Sequence, residues 1–529
     1  MSKKTFYITT PIYYASGNLH IGHTYTTVVC DAIAKYKKMK GYDVYYLTGT
    51  DEHGQKIQEK AAEKGVTPQK FVDDLVVGIK ELWSKLKIDY DKFIRTTDDY
   101  HVENVQKIFT KMLENGDIYK SSYEGWYCTP CESFWTESQL GEGHVCPDCG
   151  RPVHLEKEEA YFFKMSKYAD KLLKYYEEHP GFIEPEARQN EMVNNFLKPG
   201  LNDLCVSRTS FDWGIPVKED PKHVVYVWLD ALFNYLSALG YNGEDDSLYN
   251  KYWKNDEEHE VLHVVGKEIV RFHVIYWPIF LMSLGIDLPS KIYGHGWIVM
   301  KGGKMSKSKG NVFYPDTIIN RYGLDALRYF VTTCIPFGND GLFTPDLFID
   351  NFNNDLVNNY GNLLNRTVSM VSKYFGGEIP AYQGIVTEFD QKLEDDVKEH
   401  FNNYEKYFNN FEVDKALKEA FAMLSKANKY IDDTKPWALA KEEDKKNELA
   451  SVMTHLSLII KAASILLSPM LVETPAKAFA QLGVEDTSYE NALDYNTVSN
   501  KQVSKGDVLF PRLDAKVELE YFESQMPDI

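Results

Sequence analysis

The chain has 529 residues, 43% of them hydrophobic and 26% charged, with a formal net charge of −19. That length allows three or four domains, each with its own core. The acidic balance excludes a protein that holds nucleic acid through a broad positive field, but not one that reads RNA with a local basic and aromatic surface.

No signal peptide is expected, because Met1-Ser2-Lys3-Lys4 runs straight into a β-prone segment at residues 6–10. A loop with Ser16-Gly17-Asn18 follows, then a helix over about 20–40. Residues 43–47 form a second β-prone run, ending at Thr48-Gly49-Thr50-Asp51. Residues 68–86 have helical spacing, with Phe71, Leu75, Ile79 and Leu82 on one face. Strand, helix, strand, helix predicts an α/β fold on a Rossmann-like, doubly wound parallel sheet. Composition changes after Glu114, and residues 120–155 hold turns, aromatics and four paired cysteines, which reads as an insertion. β-prone runs return at 224–228 and 261–265, so the α/β domain is expected to be split in sequence. Residues 301–311 form a loop rich in Gly, Lys and Ser. Helical spacing dominates from about Asp350, at 358–374, 413–431 and 448–467, and predicts an α-helical bundle. The longest apolar stretch, 456–472, is interrupted by Lys461 and Pro469 and reads as a buried helix, so no membrane association is expected. The last residues, from about Lys501, are less periodic and more charged.

Three motifs carry chemistry. His20-Ile21-Gly22-His23 opens the first helix. A helix N-terminus offers unpaired N–H groups and partial positive charge, which suit phosphate, and imidazoles three residues apart share a face. Gly22 leaves room for a flat base or a backbone to approach. Two surface histidines near a turn are the bland alternative. Lys304-Met305-Ser306-Lys307-Ser308 is bracketed by Gly302, Gly303 and Gly310. Such a loop can close on a polyphosphate and neutralise developing charge, or be no more than a solvated basic loop. Cys128-Thr129-Pro130-Cys131 and Cys146-Pro147-Asp148-Cys149 suit a closed, tetrahedral, structural Zn²⁺, against the alternative of four unliganded cysteines. Seven cysteines, four of them in such pairs, fit a reduced cytoplasm better than a disulfide framework. Cys30, Cys205 and Cys334 read as small core residues.

The histidine and lysine motifs, in this order on the two halves of a split α/β domain, resemble the two signatures of the class I aminoacyl-tRNA synthetases without a substitution. Within that class the chain is similar to the methionyl-tRNA synthetase family. The segments Thr10 to Tyr14, Gly49 to Gly54, Tyr226 to Tyr235 and Gly266 to His273 all match it. The resemblance covers essentially the whole chain. It implies ATP-dependent activation of L-methionine and transfer to the 3′ end of methionine tRNA, with Mg²⁺ accompanying ATP. It implies His20, His23, Lys304 and Lys307 as catalytic residues at the phosphates, and Gly22, Glu268 and Lys307 as ATP contacts. For methionine it implies Ile12, Tyr14, Asp51, Trp228, Ala231, Tyr235, Ile269 and His273. Asp51 would take the α-ammonium, and Tyr235 and His273 would lie near the thioether. By position alone, a carboxylate ending a strand faces the ligand crevice. Leu232 stands where some relatives carry proline.

Asn362, Arg366, Pro436 and Trp437 resemble the family's anticodon-reading residues, with Trp437 offering a stacking face to unpaired bases. The insertion is too short for the large editing domain of the isoleucyl, valyl and leucyl relatives. The expected division is 1–113 and 225–300 for the catalytic halves, 114–224 for the zinc-bearing insertion, and 301–352 for a stem-contact region with the lysine loop. Residues 353–500 would bind the anticodon and 501–529 would be a tail. A cytoplasmic monomer is expected. Another class I specificity, a small-molecule nucleotidyltransferase and a non-catalytic RNA-binding protein remain as alternatives.

Overall fold

The computed structural model describes residues 3–131, 133–135, 137–254, 256–300, 303–304 and 313–525. The chain forms two compact units, Met1–Leu19 with Tyr42–His295 and His20–Gly41 with Gly296–Ile529.

The first unit is built on a seven-stranded parallel sheet. Its strands are β1 (Thr5–Thr9), β2 (Tyr13–Tyr14), β3 (Asp43–Asp51), β4 (Lys92–Arg95), β5 (Ile183–Glu184), β6 (His259–Gly266) and β7 (Lys291–His295). β1 lies between β3 and β6, β7 extends the sheet beyond β6, and β5 closes that edge. Chain connections therefore run in opposite directions from β1, and such a switch point opens a crevice at the carboxyl ends of the strands. Apolar side chains fill both faces, as parallel sheets require: Tyr7, Leu47, Val261, Val265 and Ile292 are buried on one, and Phe6, Ile8, Tyr46, Leu262 and Val264 on the other.

The α/β expectation holds, with corrections in detail. β3 runs on to Asp51. The run read as a strand at 224–228 is a strand only at Val224–Val225, paired antiparallel with Ser207–Arg208, and a helix starts at Val227. Tyr226, Val227 and Trp228 look strand-like by residue type but pair with no strand. β5 lies inside the stretch read as the insertion yet joins the main sheet. The rest of that stretch has its own antiparallel sheet, led by Ile118–Cys128 against His154–Phe163. In the helix Pro68–Lys85, Phe71, Val72, Val76, Ile79 and Trp83 are buried; Leu75 and Leu82 sit only partly in.

The second unit holds the helix Ile21–Met39 and a set of long helices. These include Leu363–Phe375, Asp390–Asn409, Val413–Thr434 and Lys446–Leu467, which meets the bundle expectation. Arg328 is wholly buried and donates to Asp31 Oδ2 at 2.6 Å and to the Met470 carbonyl at 2.6 Å. It thereby ties the first helix to the turn after Lys446–Leu467. Among the described residues one helix, Glu443–Leu467, is long and apolar enough to cross a membrane, and its apolar window is entirely buried within the protein. The charged tail is not loose: Ala515–Gln525 is a helix whose Phe522 is fully buried near Phe313, Tyr322, Phe343 and Phe348. Arg321 and Tyr322 both donate to its Glu518.

Candidate active site

The histidine motif caps its own helix. His20 is the N-cap; its Nδ1 accepts from the Gly22 N–H at 3.1 Å, while His23 Nδ1 accepts from the His20 N–H at 3.0 Å. This is a capping box with imidazoles in place of the usual Ser/Thr and Glu/Gln. The Ile21 N–H is taken by the Phe313 carbonyl. The expectation that this helix end offers unpaired N–H groups to phosphate is therefore corrected. What the motif offers is its rings. With both Nδ1 atoms accepting, each neutral ring carries its proton on Nε2. The rings lie 4.0 Å apart between centroids. Lys307 lies outside the described residues; of Lys304 only the backbone is described, in a short strand paired with Ile298–Met300.

In the first unit the residues expected around methionine come from β2, the end of β3, the loop before β2 and four short helical turns. Asp51 ends β3, and its register partner is Tyr14 on β2. Next to it, Glu52 is fully buried and takes a two-pronged bond from Arg95, at 2.8 and 2.9 Å, which pins this strand end to β4. Ile12, Trp228 and Ile269 pack against the same core as Tyr235, while Tyr14 belongs to a separate small cluster with Ala15 and Trp213. Trp228 stacks flat on Phe272 at 3.6 Å. Among the described residues its indole N–H is buried without an acceptor. Ala231 is buried on the same turn.

Tyr235 and His273 are joined at 2.7 Å between Oη and Nε2. His273 Nδ1 lies 3.0 Å from the Ile269 carbonyl, which can only accept, so Nδ1 carries the ring proton and the tyrosine donates to Nε2. Burial pushes the His273 pKa down to about 4, which keeps the ring in that neutral form. The segment Phe272–Tyr276 is a π-helical turn. Ile269 and His273 are thus brought together by a local bulge of the kind that often marks functional sites, not by an unbroken α-helix.

Sequence reasoning missed His263. Tyr235 stacks on it at 4.2 Å, Thr9 Oγ1 meets its Nδ1 at 2.7 Å, and Trp277 donates to its Nε2 at 3.2 Å. Burial holds its pKa well below the usual range. A histidine inside an apolar strand run gives no spacing signal. Glu268 folds back over the end of β6, where a Cβ on Gly266 would lie 2.5 Å from its carboxylate, so a side chain there would push Glu268 aside.

The four paired cysteines converge. Their sulfurs lie within 4.8 Å of one another, with Cys128 and Cys149 at 3.6 Å and Cys131 and Cys146 at 3.9 Å. Zn–S bonds of about 2.3 Å in a tetrahedron place sulfurs about 3.8 Å apart, so the geometry fits. Burial and the neighbouring sulfurs push the Cys128 thiol up to about 12, so four thiolates here call for a cation among them. In the second unit Asn362, Arg366 and Trp437 are exposed, while Pro436 is buried.

A switch-point sheet, a helix capped by its own histidine pair and a helical bundle are together the parts of a class I tRNA synthetase. Residues 6–153 and 145–368 match the family "tRNA synthetases class I (M)", and residues 379–524 match "Anticodon binding domain of methionyl tRNA ligase". The chain is 56% identical to the methionine–tRNA ligase of Bacillus subtilis, over 99% of this chain and 80% of that protein. It is also 56% identical to the enzyme of Clostridium tetani, over 99% and 81%. The Mycobacterium tuberculosis methionyl-tRNA synthetase in complex with methionyl-adenylate superposes with a TM-score of 0.90 at 38% identity, covering 96% of this chain and 100% of that one. This chain belongs to the methionine–tRNA ligase family.

Proposed function

We propose that the chain activates L-methionine with ATP and transfers it to the 3′ end of methionine tRNA, through the residues below. The observation that carries the pocket assignment is the Tyr235–His273 pair beside the Trp228–Phe272 stack. Both protons of that pair are committed, one to Nε2 and one to the Ile269 carbonyl. The pair has no proton left to give, so a side chain that needs a strong donor, such as a carboxylate, would have to break it. A thioether is polarizable and only a weak acceptor, and it suits aromatic walls with a closed polar end. Ile12, Tyr14, Ala231 and Ile269 complete the pocket in this reading, and Asp51 takes the α-ammonium.

The carboxylate of methionine attacks the α-phosphorus of ATP. A new O–P bond forms, the bond to the β-phosphate oxygen breaks, and pyrophosphate leaves. The nucleophile is already ionised, so positioning and charge stabilisation carry the catalysis. His20 and His23 give Nε2–H donors to the phosphates, Lys304 and Lys307 neutralise the leaving pyrophosphate, and Glu268 holds the ribose. Mg²⁺ accompanying ATP would add to that neutralisation. A ribose hydroxyl of the tRNA then attacks the adenylate. Cys128, Cys131, Cys146 and Cys149 would hold one Zn²⁺ in a closed shell that supplies folding energy and leaves no position for chemistry. Exposed Asn362, Arg366 and Trp437 read the anticodon, with buried Pro436 opening the turn that carries Trp437.

ATP–pyrophosphate exchange with methionine, cysteine, leucine, isoleucine and valine tests the assignment. Exchange with methionine alone is expected. Exchange driven by another of these amino acids overturns the pocket, and none with any of them, from folded protein, overturns the reaction.

A further inference from the structure

The methionine reading uses Asp51, Trp228, Ala231 and Tyr235, yet leaves out Asp230, a carboxylate shared by two histidines. It has no solvent exposure. One oxygen lies 2.7 Å from His53 Nδ1 and the other 2.8 Å from His101 Nε2. The network continues through Ser237 Oγ, 2.9 Å from His101 Nδ1, and Asn104, which donates to Ser237 at 2.8 Å. The bonds have a consistent direction. Ser237 accepts from Asn104 and gives its own proton to His101 Nδ1, so His101 donates from Nε2. His53 donates from Nδ1, and both arrive at the same carboxylate. Burial opposes the charge on Asp230, but the two imidazoles outweigh it and hold its carboxyl below the usual range.

The placement of these partners points to a role. Asp230 sits between Trp228 and Ala231 on the turn Val227–Leu232, the side-chain wall of the pocket. His53 is two residues beyond Asp51, the ammonium anchor, and its ring is further held against Trp213 at 5.5 Å. We propose that Asp230, through His53 and His101, is a positioning residue that fixes the distance between the ammonium anchor and the side-chain wall, and so sets methionine affinity. The inference rests on the pocket reading above. Asp230 touches no substrate; it acts by locking two elements that are 177 residues apart in sequence. An amide cannot replace it, because Asn offers one acceptor and one donor where two N–H groups converge.

The test is steady-state ATP–pyrophosphate exchange on the whole chain, with KM for methionine and for ATP measured separately. Asp230→Asn and His53→Ala should each raise the methionine KM by about tenfold or more, the effect of losing one charge-assisted hydrogen bond. The ATP KM should stay within about twofold, since a locking role acts on one substrate. The double variant should cost no more than the larger single, because both break the same link. His101→Gln, which can still donate to Asp230 and accept from Ser237, should recover most of what His101→Ala loses. If Asp230→Asn does not fold, His53→Ala decides the matter. Tyr235→Ala and Ala231→Val run beside these. If they raise the methionine KM and His53→Ala does not, Asp230 is not a positioning residue. If none of the variants moves it, the pocket reading falls, and this inference with it.

Discussion

His20 has two separable duties in this structure, and substitutions can pull them apart. Its Nδ1 caps the Gly22 N–H, and its Nε2 edge is the proposed phosphate donor. His20→Ala removes both. Loss of a side-chain cap costs about 1 kcal/mol. Loss of a preorganised donor at developing charge costs about 3 kcal/mol, or a rate factor of roughly a hundred or more. His20→Asn restores the cap, because its Oδ1 occupies the position of Nδ1, but nothing replaces the Nε2 edge. Thermal unfolding should therefore place Asn near wild type and Ala about 1 kcal/mol below. Single-turnover formation of methionyl-adenylate by rapid quench should place both variants roughly a hundredfold down. An Asn variant with near-normal adenylate formation would refute the argument: the histidine would then be only a cap.

Other expectations follow from the same reasoning. Removing zinc with a chelator, or Cys131→Ser, should unfold the region around residues 126–153 while leaving the bundle's helicity intact; a purified chain that never contains metal at one ion per molecule refutes the site. Trp437 is 47% exposed, so Trp437→Ala should leave folding and pyrophosphate exchange alone. It should weaken tRNA use by the worth of one stacked base, about 1–3 kcal/mol in the KM for tRNA. The His273 pKa, depressed to about 4 by burial, lies below the ordinary 6.5. The unfolded chain thus takes up this proton first on acidification. Stability is full above about pH 6.5 and falls towards pH 4, by roughly 1.4 kcal/mol per unit at most, and His273→Gln should flatten that slope in urea titrations. Phe522→Ala should cost about 3–5 kcal/mol, because the ring is fully buried; a loss under 1 kcal/mol would mean the terminal helix packs only loosely.

Much of this was legible because periodicity and spacing record burial and local contacts. The helix after His20, the sheet strands around Ile8 and Leu262 and the bundle helix ending at Leu467 all announce themselves by period. The cysteine pairs do so by spacing. Three features were hidden for physical reasons. The π-helical turn at Phe272–Tyr276 has no periodicity of its own, since it is one inserted residue's worth of slack in a helical stretch. The docked helix at Ala515–Gln525 has no long apolar face; its place depends on Phe522 and Glu518 meeting partners about 200 residues away. Asp230, His53 and His101 are each ordinary in sequence, and only folding brings them within 3 Å.

The histidines share one logic. In each case one ring nitrogen is committed to the protein, and that commitment decides what the other nitrogen can do. At His20 and His23 the committed atom is Nδ1 as acceptor, which leaves the ring proton on Nε2, the proposed phosphate donor. At His273 it is Nδ1 as donor, which makes Nε2 the acceptor for Tyr235. At His263 it is Nε2 as acceptor from Trp277, which sends the proton to Thr9. Backbone and neighbouring side chains thus assign every tautomer before any substrate arrives. A reaction whose nucleophile is already ionised has no use for a titrating base. It gains from donors and acceptors whose directions are settled in advance, because reorienting them at the transition state would cost the energy that preorganisation saves.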